Sequence, residues 1–121
     1  MTAPTRVDKP WGHELIWAHT GRYVGKILHI RAGESLSLQY HEVKDETIMV
    51  LSGRIRFIHF ADGEPAKETE LSPHVPFHIT PGLRHQMIAI DDSDLVEVST
   101  PELSDVVRLQ DRYGREGTRD P

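Results

Sequence analysis

The chain contains no cysteine. That absence excludes disulfides and thiolate-bound metals, and with them a small secreted fold held by cross-links. Long apolar runs are missing too. A stretch such as Ile48-Met49-Val50-Leu51 falls far short of the roughly 20 residues that a membrane helix needs. The opening residues, MTAPTRVDKPWG, lack the apolar core of a secretory signal, so a cytoplasmic location is expected. Positive charge is scarce: 14 Lys and Arg stand against 19 Asp and Glu, a net charge of −5. Phosphate backbones and anionic bilayers need a basic footprint, so neither nucleic acid nor membrane is an expected partner. A local basic pocket for a small anion is still compatible with that total. Sustained 3.6-residue periodicity is the last absence, and it argues against a helical fold.

What is present is a series of short strand-like segments, at 13–18, 23–31, 35–40, 46–52, 54–60, 67–71, 76–80, 84–90 and 94–99. They are rich in Ile, Val, Leu, Phe and Thr, which fit a pleated surface. Turn residues separate them: Ala32-Gly33, Ser52-Gly53, Asp62-Gly63, Pro81-Gly82 and Asp91-Asp92-Ser93. Many short strands at regular spacing predict an all-β sandwich or barrel. Thr100-Pro101-Glu102 offers the one helix start, with proline at the first position, so at most a short helix is expected near the C-terminus. A length of 121 residues predicts one domain. The expected layout is a single domain over 1–113, made of an N-terminal arm (1–20), a barrel (21–100) and a closing segment (101–113), followed by a polar, mobile tail (114–121).

The stretch GESLSLQYHEVKDETIMVLSG, residues 33–53, carries the chemistry. Side chains two apart in a strand share a face. Gln39 and His41 therefore point the same way, with Ser35 and Ser37, while Leu36, Leu38 and Tyr40 form an apolar outer face that needs cover. If residues 42–45 turn, Glu46 returns opposite His41 on the face of Ile48 and Val50. A fourth donor follows the Pro81-Gly82 turn, where His85 begins a strand. Two imidazoles, a carboxylate and an amide oxygen at Gln39, His41, Glu46 and His85 suit a divalent ion. Zn²⁺ is the expected ion, and Mn²⁺, Fe²⁺, Co²⁺ and Ni²⁺ also fit. Taken singly, a strand histidine is more often hydrogen-bonded than metal-bound; the spacing of the set is what argues otherwise.

That spacing resembles the two motifs of the cupins. Gly33, a ligand at 39, His41, Glu46 and Gly53 are similar to the first motif, and Thr80-Pro81-Gly82 with His85 to the second. Gln39 stands where the first histidine is usual, Thr80 where a proline is, and Ala89 where asparagine is common. The glutamine resembles the cupin domain of type II mannose-6-phosphate isomerases, as do Lys9-Pro10-Trp11-Gly12, Gly25-Lys26-Ile27-Leu28 and the segment from Asp105 to Arg115. The likeness spans about residues 8–115 and implies a cupin double-stranded β-helix, a jelly-roll barrel. It also implies aldose–ketose isomerisation of a sugar phosphate of the mannose 6-phosphate and fructose 6-phosphate type. One departure touches the pocket wall. The family's His-Trp pair after the glutamate is Thr47-Ile48 here. Many relatives carry a nucleotidyltransferase domain ahead of the cupin, but no Gly-rich phosphate loop is present in this sequence.

Isomerisation through an enediolate needs a proton carrier near neutral pH. Lys26 is the candidate, since it shares a strand face with Val24, Leu28 and Ile30, and burial there would lower its pKa. A lysine at a sheet edge reaching for solvent is the ordinary alternative. His29 and His78 are weaker candidates. Arg108, Arg112 and Arg115 match arginines in the family's terminal segment, and guanidinium forks suit phosphate. Arg108, after Val106-Val107, is the leading anchor and is grouped with Lys26 as catalytic. Arg112, Trp11 and His78 complete the expected substrate contacts. The ordinary alternative is that the arginines balance Asp105 and Asp111 on a solvated face. The apolar face of Leu36, Leu38 and Tyr40 calls for an N-terminal arm or a neighbour, and cupins resembling this one commonly pair, so a homodimer is expected. Two other functions stay open: a non-catalytic sugar-binding module, and a metal-dependent cupin enzyme of another class, such as a dioxygenase or an epimerase.

Overall fold

The computed structural model describes residues 3–119, which form eleven strands and no helix. The strands are β1 (Thr5–Lys9), β2 (Gly12–His19), β3 (Val24–Ile30), β4 (Leu38–Tyr40), β5 (Glu46–Ser52), β6 (Ile55–Phe60), β7 (Lys67–Leu71), β8 (Pro76–Ile79), β9 (Arg84–Ala89), β10 (Ser93–Ser99) and β11 (Val107–Gln110). They build two antiparallel sheets. The first runs β1-β2-β3-β10-β5-β8 and the second β11-β4-β9-β6-β7. The all-β expectation holds. Among the described residues no helix is long and apolar enough to cross a membrane.

Period-two alternation decides what each strand buries. In β3, Val24, Lys26, Leu28 and Ile30 are all at most 3% exposed, so the lysine shares the inward face. In β5 the same face carries Glu46, Ile48 and Val50, and in β10 it carries Leu95, Glu97 and Ser99. The second sheet contributes Ile55 and Phe57 from β6 and His85, Met87 and Ala89 from β9. These apolar side chains, with Trp11, Leu36, Leu71 and Ile79, make one core between the sheets. Phe57 lies 4.4 Å from Phe77 between ring centroids and stacks at 26° against His85. Such ring pairs add about 0.5–1.5 kcal/mol beyond area burial, and here they also hold an imidazole in place. Gly53 closes the β5–β6 turn at φ +92°, where an added Cβ would lie 2.3 Å from Ser93 Oγ. Both the backbone angle and the space demand glycine there.

Two strands add to the expected set, and two expectations need correction. Residues 5–9 form a strand, β1, paired along its length with β2. No helix follows Pro101; Val107–Gln110 instead adds β11 to the edge of the second sheet, against β4. The expected strand over 35–40 shortens to Leu38–Tyr40, and Ser35 makes only an isolated bridge to Ile88. Strict alternation therefore breaks, and Leu36 is not on an outer face: it is 7% exposed and part of the core. It needs no cover from a second chain.

The expected tail reaches beyond residue 119, and its last two residues lie outside the described ones. Residues 114–118 fold back on the barrel. The Gly117 N–H donates to the Arg108 carbonyl, and Arg108 Nη1 donates to the Thr118 carbonyl at 3.1 Å and to its Oγ1 at 2.9 Å. Tyr113 donates its hydroxyl to Glu34, and Arg112 donates to the Gly33 carbonyl. The C-terminal segment is thus fastened to the loop ahead of β4. The first two residues of the expected N-terminal arm also lie outside the described ones.

Candidate metal centre

Three strand ends bring the donors together. β4 ends next to His41, β5 begins with Glu46, and β9 carries His85, which β4 places directly across from Gln39. One ligand atom from each of His41, Glu46 and His85 lies within 4.8 Å of the others, and all three residues are buried. Glu46 Oε1 faces both rings, 3.4 Å from His41 Nε2 and 3.8 Å from His85 Nε2.

The other ring nitrogens are committed. His41 Nδ1 is 2.6 Å from the Asp105 carbonyl and His85 Nδ1 is 2.9 Å from the Leu83 carbonyl. A carbonyl only accepts, so each Nδ1 bears the proton and each Nε2 presents a lone pair. Burial lowers the His85 pKa, which keeps that ring neutral. Both Nε2 atoms are buried without a hydrogen-bond partner. Two aimed lone pairs beside a buried carboxylate fit a divalent cation, with the outer nitrogens held as metal-binding histidines usually are. Gln39 Oε1 accepts the Ser37 hydroxyl at 2.6 Å, which fixes the amide and leaves a second lone pair on the oxygen.

Glu46 has a second partner that the sequence reading missed. Lys44 Nζ, 6% exposed at its side chain, sits 3.1 Å from Glu46 Oε2 and 3.2 Å from Glu97 Oε2. Burial alone would lower the Lys44 pKa, but Glu97 and Glu46 outweigh it and raise it well above the usual lysine value. Burial alone would raise the Glu46 carboxyl, yet the Lys44 ammonium holds it well below the usual range. Glu97 goes the other way: burial and the charge of Glu46 push it up. Across the β3–β10 pair, Glu97 stands opposite Lys26, whose Nζ donates to Glu14 Oε1 at 3.2 Å. Buried charge thus runs Glu14, Lys26, Glu97, Lys44, Glu46 along one wall. Each lysine has a carboxylate, as buried charges require.

These groups line a cavity of about 50 Å³ together with Lys9, Trp11, Gln39, His41, Arg108 and Arg115 and an apolar floor that includes Leu28, Leu36 and Met87. Lys26, Arg108 and Trp11 thus line the same cavity as the candidate metal ligands. Arg112 and His78 do not reach the cavity. His78 pairs on the surface with Asp45 at 2.6 Å, and Arg112 is spent on the Gly33 carbonyl. Arg115 does pair with Asp111, at 3.0 Å, but the Asp111 side chain is fully buried and not on a solvated face. His29 faces outward, 2.8 Å from Asp94. Glu14 and Glu97 had a signal in the sequence. Each is a lone charge on the apolar side of an alternating strand, the same mark that singled out Lys26.

Comparison with known proteins gives a consistent family. The mannose-6-phosphate isomerase C-terminal family matches residues 1–111. The mannose-1-phosphate guanylyltransferase ManC of Salmonella typhimurium is 33% identical over 110 residues, which are 90% of this chain and 23% of that protein. The mannose-1-phosphate guanylyltransferase of Escherichia coli K12 is 33% identical over the same shares. The chain thus spans about a quarter of the length of these relatives. Among solved structures, KdgF from Halomonas sp. matches with a TM-score of 0.67 at 21% identity, over 80% of this chain and 87% of that one. Oxalate decarboxylase from Bacillus subtilis matches with a TM-score of 0.75 at 11% identity, over 88% of this chain and 30% of that one. At these identities the likeness speaks for the fold.

Proposed function

The chain belongs to the mannose-6-phosphate isomerase C-terminal family, a branch of the cupins, and from that premise we propose that it is a metal-dependent, sugar-phosphate isomerase-like protein. One observation carries the metal half of the reading: the two buried Nε2 lone pairs of His41 and His85 beside Glu46 Oε1. His41, Glu46, His85 and the Gln39 amide oxygen would hold the ion, with Zn²⁺ first. A divalent ion held there would polarise substrate oxygens and stabilise negative charge as it develops on them.

The remaining chemistry falls to the chain itself. Aldose–ketose isomerisation moves a proton between neighbouring carbons, so a group must take it and return it. Glu97, whose carboxyl is pushed upward, and Lys26, opposite it, are the pair on the cavity wall placed to do so. Glu14 keeps the Lys26 ammonium oriented at 3.2 Å. Trp11, Leu28, Leu36 and Met87 exclude water from that wall, and Arg108 meets the anionic end of the substrate. A cavity of about 50 Å³ is well below the roughly 300 Å³ of a small-ligand site. Substrate entry therefore displaces part of the wall formed by Leu103, Val106, Arg108 and Arg115.

The test is solvent-deuterium exchange into mannose 6-phosphate and fructose 6-phosphate by metal-loaded protein. Incorporation at the carbon next to the carbonyl is expected. A second reading, a sugar-binding module without turnover, is favoured by the pairing of both Lys26 and Lys44 with buried carboxylates. Metal and sugar bound without exchange would decide for it. Iron with oxygen uptake would decide for another enzyme class. A cytoplasmic homodimer completes the proposal. Since Leu36 is covered within its own chain, Trp17, Tyr23 and Val98, three of the five large apolar side chains at least 50% exposed among the described residues, are the surface proposed for a second copy. Light scattering decides that point; a monomer at micromolar concentration refutes it.

A further inference from the structure

Glu46 has two carboxylate oxygens, and the structure sends them to different places. Oε1 faces the candidate ligand nitrogens, 3.4 Å from His41 Nε2 and 3.8 Å from His85 Nε2. Oε2 faces Lys44, whose Nζ lies 3.1 Å away on a side chain that is 6% exposed. A carboxylate binds a cation through one oxygen or through both. Two-oxygen binding requires the open edge of the carboxylate to turn to the ion. With an ammonium against Oε2, that turn would bring a divalent cation and the lysine onto the same oxygen.

The lysine is itself held. Its backbone N–H donates to Asp105 Oδ2 at 2.8 Å, so the turn that carries it is fixed by the C-terminal segment. Its Nζ also lies 3.2 Å from Glu97 Oε2 on β10. Burying a lysine is costly, and its turn neighbours Val43 and Asp45 are both exposed, so water was within reach. Charge balance does not explain the arrangement. Lys44 and Glu97 are formally one charge of each sign, so together they leave the net charge around Glu46 as it was. What the pair changes is the direction in which the Glu46 carboxylate is drawn.

We propose that Lys44 is a positioning residue that restricts Glu46 to one-oxygen coordination and so keeps a position on the ion free for substrate. The inference rests on the metal-dependent isomerase reading above and deepens it. Gln39, His41, His85 and one oxygen of Glu46 make four donors. An ion with six positions then has two left, which suits the carbonyl and neighbouring hydroxyl oxygens of an aldose or ketose. A second Glu46 oxygen would fill one of them. The substrate would then hold by a single oxygen, and charge spread over the two oxygens of an enediolate would be only half met. Lys44 acts through Glu46 and is not itself a ligand.

The test counts the waters on Mn²⁺ bound to the full chain, by water-proton relaxation over a range of magnetic fields, beside competition between Zn²⁺ and Mn²⁺. Wild type should carry about two exchangeable waters, and a count near one overturns the proposal whatever the variants do. Lys44→Met is combined with Glu97→Gln so that the second buried carboxylate is not stranded. Glu97→Gln alone keeps Lys44 on Glu46 and is the control. The double variant should still bind about one ion per chain but lose about one coordinated water. Its preference for Zn²⁺ over Mn²⁺ should fall about tenfold, because the harder ion gains more from an added carboxylate oxygen. Glu97→Gln should match wild type in both readings. A folding defect alone weakens both ions alike and leaves their ratio and the water count unaltered; that result overturns the proposal. So does a water lost equally in Glu97→Gln, or a second ion taken up in place of the lysine. The underlying readings fail separately. A wild type that binds neither ion removes the centre and the proposal with it. Two waters governed by Lys44 but no deuterium exchange into the sugar phosphates leave the role of Lys44 standing and remove the isomerase reading.

Discussion

Replacing Asp105 by alanine asks whether the C-terminal segment imposes the geometry of the candidate metal centre. The Asp105 carboxylate accepts three backbone N–H bonds, from Glu42 at 3.0 Å, Val43 at 2.7 Å and Lys44 at 2.8 Å. Its carbonyl receives His41 Nδ1 at 2.6 Å. One residue thus fixes both the His41 ring and the turn that brings Glu46 back to it. Hydrogen bonds to a charged group contribute about 1.5–3 kcal/mol each where they are shielded. Glu42 and Val43 are exposed, so water replaces part of what they lose, whereas Lys44 is buried. A net loss of about 2–4 kcal/mol is therefore expected in urea unfolding. Groups that orient metal ligands without touching the metal typically account for about 10–100-fold in affinity, and a loss of that size is expected in chelator competition. Burial alone would raise the Asp105 carboxyl, but the three amides outweigh it and set it below the ordinary aspartate value. A depressed folded-state pKa gives stability that is fully present above the unfolded value, near ~3.9, and lost as the pH falls through the folded one. The gap between wild type and Asp105→Ala should accordingly be full at neutral pH and close in acid. Asp105→Asn should fall between them, since its amide oxygen can still serve two of the three donors. A variant within about 0.5 kcal/mol of wild type, the scatter of an ordinary surface change, with unaltered metal affinity would refute the reasoning.

Three further outcomes are expected. Lys44→Met strands the buried carboxylates of Glu46 and Glu97 and should cost about 3–5 kcal/mol in urea unfolding of the metal-stripped protein, with partial recovery when Glu97→Gln is added. Gly53→Ala places a Cβ 2.4 Å from the Asp92 carbonyl oxygen at φ +92° and should cost roughly 2 kcal/mol or more, so an unaltered urea midpoint would contradict the turn geometry. Zn²⁺ at about 1,000 times its dissociation constant should raise stability by about 4 kcal/mol, and His85→Ala should abolish that metal-dependent gain without mimicking it. An identical Zn²⁺ response in the variant would remove His85 from the site.

Legibility followed the range of the forces. The strand faces of β3, β5 and β10 could be read because alternation is a local property, and that rule put Lys26 on the face of Val24, Leu28 and Ile30, while only the packed sheets decided that this face is buried. Asp105 was not legible in the same way. It reads as one more acidic surface residue, and only the return of the chain past β4 shows its carboxylate to be the acceptor for three amides. Lys44 likewise looks like a turn lysine until Glu97, 53 positions later, closes on it. Arg112 and His78 were expected at the substrate and lie elsewhere, because motif position does not specify the direction of a long side chain. Leu36 was assigned to an outer face because alternation was assumed across a segment whose regular strand begins only at Leu38.

By itself the sequence determined the all-β class, the turns, and the donors that end or begin their strands. These depend on residue type and on a two-residue repeat, which any stretch of chain carries within itself. The tertiary structure alone decided which buried charges neutralise one another and that Leu36 lines the cavity. The physical reason is that charge pairing is set by register between strands distant along the chain and by where the two ends come to rest against the barrel.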